Sequence, residues 1–189
     1  MRIKRIDGMP TNRPNKSYYK QSSSRLQYRS LTMDDVESWL PFFDTADHHR
    51  FLGQDITIEP VQRSRNWIQR QCQRKNENEY GQLAVLEKES GKFIGVGGII
   101  TRNIDGKDEY EVTYSLFSEV WGQGYGTELA HQFIKYANQN IDTKRVISII
   151  HTENKASIRV AEKNGLERQK EMEFMGMPVY IYSLSLNKT

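Results

Sequence analysis

Between Val120 and Glu128 the chain reads Val-Trp-Gly-Gln-Gly-Tyr-Gly-Thr-Glu, with Gly122, Gly124 and Gly126 at alternate positions. Before this string lies a segment of period two that ends near Phe117. After it lies GTELAHQFIKYANQ, whose Leu129, Ala130, Phe133, Ile134 and Ala137 share one helical face. Further on, RVISII is a nearly continuous apolar run, the pattern of a strand covered on both faces. Strand 110–117, helix 126–139 and strand 145–151 therefore form a βαβ unit with parallel strands. Residues without a Cβ let the backbone approach a ligand and turn its N–H groups one way. The open N–H groups of the helix start add positive partial charge. Such a loop is a candidate pyrophosphate site that needs no lysine. The plainer alternative is a tight strand-to-helix turn that binds nothing.

Around this unit the periodicity predicts one mixed α/β domain with a mostly antiparallel sheet. LQYRSL, residues 26–31, alternates as a first strand. Thr32 followed by Asp35 resembles a capping box with Asp in place of Glu, and predicts a helix that buries Val36, Trp39, Leu40 and Phe43. A second helix runs over 60–75, with Pro60 in its first turn and Val61, Trp67, Ile68 and Cys72 on its apolar face. Its remaining positions are heavy in Arg and Gln, among them Arg63, Arg65, Arg70, Arg74 and Lys75. GQLAVLEK and KFIGVGGII flank a turn at Glu89–Ser90–Gly91, and a turn at Asp105–Gly106 leads into YEVTYSLF. A short helix over 155–164 ends at Gly165, and LERQKEMEF and VYIYSLSL form a last hairpin about Gly176.

Charge is distributed unevenly. Residues 1–25 hold seven Lys or Arg and one acid, Asp7, whereas the rest hold 20 basic and 23 acidic side chains. The basic character thus belongs to the start, and the expected organisation is an arm over 1–23 and a single domain over 24–189. A basic arm can touch nucleic acid, a ribosome or an acidic partner, or it can be a solvated tail. No apolar run approaches the roughly 20 residues of a spanning helix, so no membrane association is expected. The first residues lack the apolar segment of a secretory signal. Cys72 is the only cysteine, which excludes an intrachain disulfide and suits a reducing cytoplasm. His48, His49, His131 and His151 fall in no metal-binding spacing, and no metal is expected. Monomer and homodimer stay open.

Two familiar phosphate loops are excluded. The dinucleotide pattern G-x-G-x-x-G fails at Thr127, and no G-x-x-x-x-G-K-[ST] string exists. Trp121-Gly122-Gln123-Gly124-Tyr125-Gly126 instead resembles the acyl-CoA loop [Q/R]-x-x-G-x-[G/A] of the GNAT superfamily, with Trp121 in place of Gln or Arg. It is closest to the W-G-x-G-Y-[A/G]-T-E form of the RimJ/RimL-like branch, named for acetylation of ribosomal-protein N-termini. Three more strings are similar to that branch, in order. They are Ser24-Arg25-Leu26-Gln27-Tyr28-Arg29, Glu111-Val112-Thr113-Tyr114-Ser115-Leu116, and Asn154 to Leu166 with its N-x-A-S start.

The resemblance implies the GNAT fold, acetyl-CoA as cosubstrate and acetyl transfer to a primary amine. A protein or peptide N-terminal amine is the first acceptor class. A small amine (aminosugar, polyamine or amino acid) is the alternative, and a catalytically idle acyl-CoA binder is a third reading. The implied cofactor contacts are Gly122, Gln123, Gly124, Tyr125, Gly126 and Thr127 for the pyrophosphate, with Asn154 and the backbone of Leu116, Phe117 and Ser118 along the pantetheine arm. For the general base, Glu111 shares a polar strand face with Thr113 and Ser115, opposite Tyr110, Val112, Tyr114 and Leu116. Glu173 is its rival, since Glu171-Met172-Glu173-Phe174 resembles the stretch where RimL-type enzymes place a catalytic glutamate. Many GNAT enzymes carry a thiolate-protonating tyrosine seven residues after this Asn, where Ala161 stands here. Ser157 is the substitute candidate. Asn154 and Ser157 equally suit a plain helix cap.

Overall fold

The computed structural model describes residues 12–53 and 55–187. In chain order the elements are β1 (Leu26–Arg29), α1 (Asp35–Trp39), α2 (Ala46–His49), α3 (Pro60–Asn76), β2 (Gln82–Glu87), β3 (Phe93–Ile104), β4 (Lys107–Leu116), α4 (Tyr125–Asn140), β5 (Arg145–His151), α5 (Lys155–Lys163), β6 (Glu167–Phe174) and β7 (Met177–Ser185). The strands form one seven-stranded sheet in the order β1-β2-β3-β4-β5-β7-β6. All neighbours are antiparallel except β4 and β5, which are parallel as the βαβ reading requires. The β3–β4 ladder runs from Gly95↔Leu116 to Ile104↔Lys107. By contrast, β4 and β5 share a single register pair, Glu111↔Ile147, so the sheet splits beyond it.

Each sheet face is covered by a helical layer. Alternation in β2 sends Leu83 and Val85 to one side, where they pack with Leu129, Phe133 and Ala137 of α4. Ala84 goes to the other side, against Trp39, Phe42, Phe43 and Ile68. The face expected of α4 is the one it buries, apart from the partly buried Ile134. Each fully buried Leu or Phe of this kind contributes roughly 1.5–3 kcal/mol.

Local chemistry alters three expectations. The helix after Thr32 is short, because Pro41 lacks an N–H and the chain continues as a 3₁₀ turn over Leu40–Phe43. Half of the capping box forms, since the Thr32 N–H donates to Asp35 Oδ2 at 2.8 Å. Val61 is exposed rather than part of the α3 apolar face.

The third concerns the start of the chain, where residues expected in an arm pack into the domain. Tyr18 is fully buried; its hydroxyl donates to the Gly81 carbonyl at 2.5 Å and accepts the Ile99 N–H at 2.8 Å. A Cβ on Gly98 would lie 2.6 Å from that hydroxyl, so β3 needs glycine there. The Tyr18 ring meets those of Tyr80 and Tyr136 at 5.1 and 5.2 Å. The reason is burial of one large ring, which leaves no periodic signal in a polar segment. Residues 1–11, which carry Arg2, Lys4 and Arg5 of the basic stretch expected to meet nucleic acid or a ribosome, lie outside the described residues.

Candidate active site

The glycine loop turns the chain from the end of β4 into α4. Gly122 and Gly124 have φ of +75° and +83°, a region L side chains rarely adopt, and Gly124 caps α4 without a side-chain hydrogen bond. A Cβ at Gly122 would meet nothing within 4 Å, so glycine serves the conformation and leaves the space before it open. Among the described residues, no acceptor takes the N–H groups of Gly122 to Thr127. Arg25 holds the loop from behind. Its Nε donates to Glu128 at 2.8 Å, its Nη1 donates to the Gln123 carbonyl at 3.0 Å, and its guanidinium lies 4.3 Å over the Tyr125 ring.

Before this loop lies a cavity of about 510 Å³, walled by Gly122, Gly124, Gly126 and Thr127 on one side and by α5 on the other. Arg50, Lys155, Arg159 and Lys163 line it, against one carboxylate, Glu153. Open N–H groups, a helix N-terminus and a cationic rim suit the phosphates of an acyl-CoA.

A second cavity, of about 390 Å³, lies on the polar face of β4, where Glu111, Thr113 and Ser115 project as their alternation predicts. Arg63, Trp67, Arg70 and Arg74 face it from α3, at helical spacing. The β6–β7 hairpin closes it with Phe174, Met175 and Met177. Phe51, Leu52, Tyr114, Ser115, Asn154 and Ser157 line both cavities and mark where they meet. This junction falls at the split between β4 and β5.

Glu111 is 6% exposed, and Arg102 Nε donates to its Oε2 at 2.7 Å. Burial holds its carboxyl above the ordinary range, opposed by Arg102, by the Ile149 N–H and by Arg74. At the junction, burial pushes the Tyr114 hydroxyl up to about 12, opposed by a hydrogen bond with Ser157. Asn154 Oδ1 accepts the Ser157 N–H at 3.0 Å, the cap expected of it, while both residues also face the cavities.

Other candidates lie elsewhere. Glu173 is exposed on β6 and lines neither cavity, because alternation turns Phe174 inward and Glu173 out. Phe117 and Ser118 line neither cavity. The Phe117 N–H donates to the Ile94 carbonyl at 3.1 Å and the Ser118 N–H to His48 Nε2 at 3.0 Å, so neither amide is open to a pantetheine strand. Leu116 lines the first cavity, with its carbonyl accepting Trp121 Nε1–H at 2.8 Å. Gln123 turns its side chain to the Glu119 carbonyl at 2.9 Å.

Conversely, Tyr114 and Arg102 carried no signal as site residues. Tyr114 belongs to the strand face that packs on α4, yet it reaches the gap beside Gly126. Arg102 lies two residues beyond Ile100, the register partner of Glu111, so the two side chains leave the same face.

Comparison with known proteins identifies the family and the fold. The acetyltransferase (GNAT) domain family matches residues 25–167. The protein YkkB of Bacillus subtilis is 32% identical over 127 residues, covering 66% of this chain and 73% of its own length. The acetyltransferase p20 of Bacillus licheniformis is 24% identical, over 88% of this chain and 94% of its own. Among solved structures, the RimL ribosomal L7/L12 α-N-protein acetyltransferase in complex with coenzyme A superimposes with a TM-score of 0.74 at 16% identity, covering 89% of this chain and 98% of that one. A GNAT-family acetyltransferase of Bacillus anthracis gives 0.72 at 21% identity, covering 87% and 96%. The chain is a GNAT N-acetyltransferase and belongs to the RimJ/RimL-type family.

Proposed function

We propose that the enzyme transfers the acetyl group of acetyl-CoA to the N-terminal amine of a protein or peptide, with the thioester at the junction of the two cavities. The N–H groups of Gly122, Gly124, Tyr125, Gly126 and Thr127 hold the pyrophosphate, and Asn154 holds the arm that leads to the junction. Acetyl-CoA supplies a thioester carbonyl carbon open to attack. Glu111 takes the proton that the attacking amine loses, directly or through a water. As the N–C bond forms and the C–S bond breaks, Ser157 gives a proton to the leaving sulfur and Tyr114 stands behind it as a donor. A tyrosine held near 12 stays protonated at neutral pH, as a donor must. Phe117 and Ser118 are left out of the cofactor set, and Glu173 out of the catalytic one.

The observation that carries this reading is the buried carboxylate of Glu111 on the wall of a cavity that joins the glycine-loop cavity. An idle acyl-CoA binder has no use for such a group. A small-molecule amine is the second reading, favoured by the modest volume of about 390 Å³. Thiol release from acetyl-CoA, measured with N-terminal peptides beside free small amines, separates the two. Turnover confined to small amines overturns the peptide reading, and none with any amine overturns acetyl transfer.

A further inference from the structure

The wall opposite Glu111 has a chemistry that a bare amine does not need. Arg63, Arg70, Arg74 and Arg102 line the second cavity, and among the described residues only two carboxylates, Glu111 and Asp55, stand against them there. Arg102 is spent on Glu111. Arg74 reaches Glu79 only at 3.6 Å and donates to the Tyr80 carbonyl at 3.2 Å. Among the described residues, neither Arg63 nor Arg70 lies within ion-pair distance of a carboxylate. Arg63 is 93% buried, by its 7% exposure, and has only long contacts, 3.4 Å to the Phe43 carbonyl and 3.5 Å to His49. The Nε atoms of Arg63 and Arg74 are buried without an acceptor.

Burying cations without partners is costly. Spacing of seven and four residues along α3 puts Arg63, Arg70 and Arg74 on one face, aimed into one cavity. Burial lowers the Arg74 value, Glu79 opposes this, and the nearby Arg102 and Arg70 lower it further. A planar guanidinium suits carboxylate and phosphate oxygens, which it can hold by two parallel hydrogen bonds.

We infer that the acceptor carries its own anion, a carboxylate or phosphate close to the reacting amine, bound by Arg70 and Arg74 with Arg63 behind them. The amine then faces Glu111 while the anion faces α3. In a peptide the anion is an acidic side chain near the N-terminus; in a small molecule it is an acid or phosphate group on the amine itself. A polyamine, cationic along its length, is excluded from such a pocket by charge. This inference rests on the acetyl-transfer reading of the same site.

The test uses matched acceptor pairs with acetyl-CoA and the full chain: the C-terminal amides of Ser-Asp and Ser-Asn, and phosphoethanolamine beside ethanolamine. The anionic member of at least one pair is expected to have the higher kcat/KM by about tenfold or more, the usual worth of a charge-assisted contact. The responding pair distinguishes carboxylate from phosphate. Arg70→Gln, at an exposed position, should cut the preference to within about threefold and leave acetyl-CoA affinity unchanged; Arg74→Gln should do the same if it folds. The favoured acceptor should also raise the melting temperature of wild type more than its neutral twin does, and lose that advantage in Arg70→Gln. Equal or better turnover of the neutral members in both pairs, or a preference that survives in Arg70→Gln, overturns the inference while acetyl transfer stands. Absence of acetyl-CoA binding, or of thiol release with every amine, overturns acetyl transfer itself.

Discussion

Arg102 and Glu111 meet at 2.7 Å on the same face of the β3–β4 ladder, two residues off a direct cross-strand pair. The pair is unequal in exposure: the Glu111 side chain is 7% exposed and that of Arg102 is 30%. Burial raises the carboxyl while Arg102 draws it back, which keeps a buried acid able to ionise.

Replacement of Glu111 by Gln should lower turnover roughly 10²–10⁴-fold, the usual worth of a general base. Gln keeps the shape and an oxygen acceptor for Arg102, so acetyl-CoA affinity by calorimetry should barely change. Glu173→Gln, on the exposed side of β6, should retain near-normal rates. A crippled Glu173→Gln beside an active Glu111→Gln reverses the assignment.

The pH profile follows from the same pair. A base acts when deprotonated, so kcat/KM should fall as pH drops through the raised Glu111 value, with its acid limb above the ordinary carboxylate range. Arg102→Met removes two influences that lower this value, so the limb should move to higher pH. An unmoved limb assigns it to another group.

Gly124→Val should abolish the thermal stabilisation by acetyl-CoA. At φ of +83° a side chain is strained by about 1–2 kcal/mol, and its Cβ would lie 3.5 Å from Nη2 of Arg25, the residue that holds the loop in place. Undiminished stabilisation would show that the loop is only a turn.

Tyr18→Phe should lower unfolding stability by about 1–3 kcal/mol, because it leaves the buried Gly81 carbonyl and Ile99 N–H without their partner. Urea unfolding should show a lower midpoint at unchanged slope. Removal of residues 1–20 takes the ring as well and should cost more. A truncated protein as stable as the full chain contradicts this.

Most of the fold was legible because its signals are local and periodic. The burial face of α4, the continuous apolar run of β5 and the polar row Glu111, Thr113 and Ser115 each follow from spacing alone. The glycine loop was legible because three missing side chains at alternate positions have few structural uses. Tyr18 was not, since a single ring finding a slot at Gly98 depends on a partner eighty residues away. His48 was not, because taking the Ser118 amide needs α2 folded over the end of β4. The arginines of α3 were visible as composition, yet only the assembled sheet shows that three of them line one cavity with Glu111.

The sheet parts like a pair of scissors, with the single pair Glu111↔Ile147 as its pivot. Seated there, Glu111 is fixed by Arg102 and by the Ile149 N–H at the one point where the two strands still pair, and it lines the cavity that opens where they diverge.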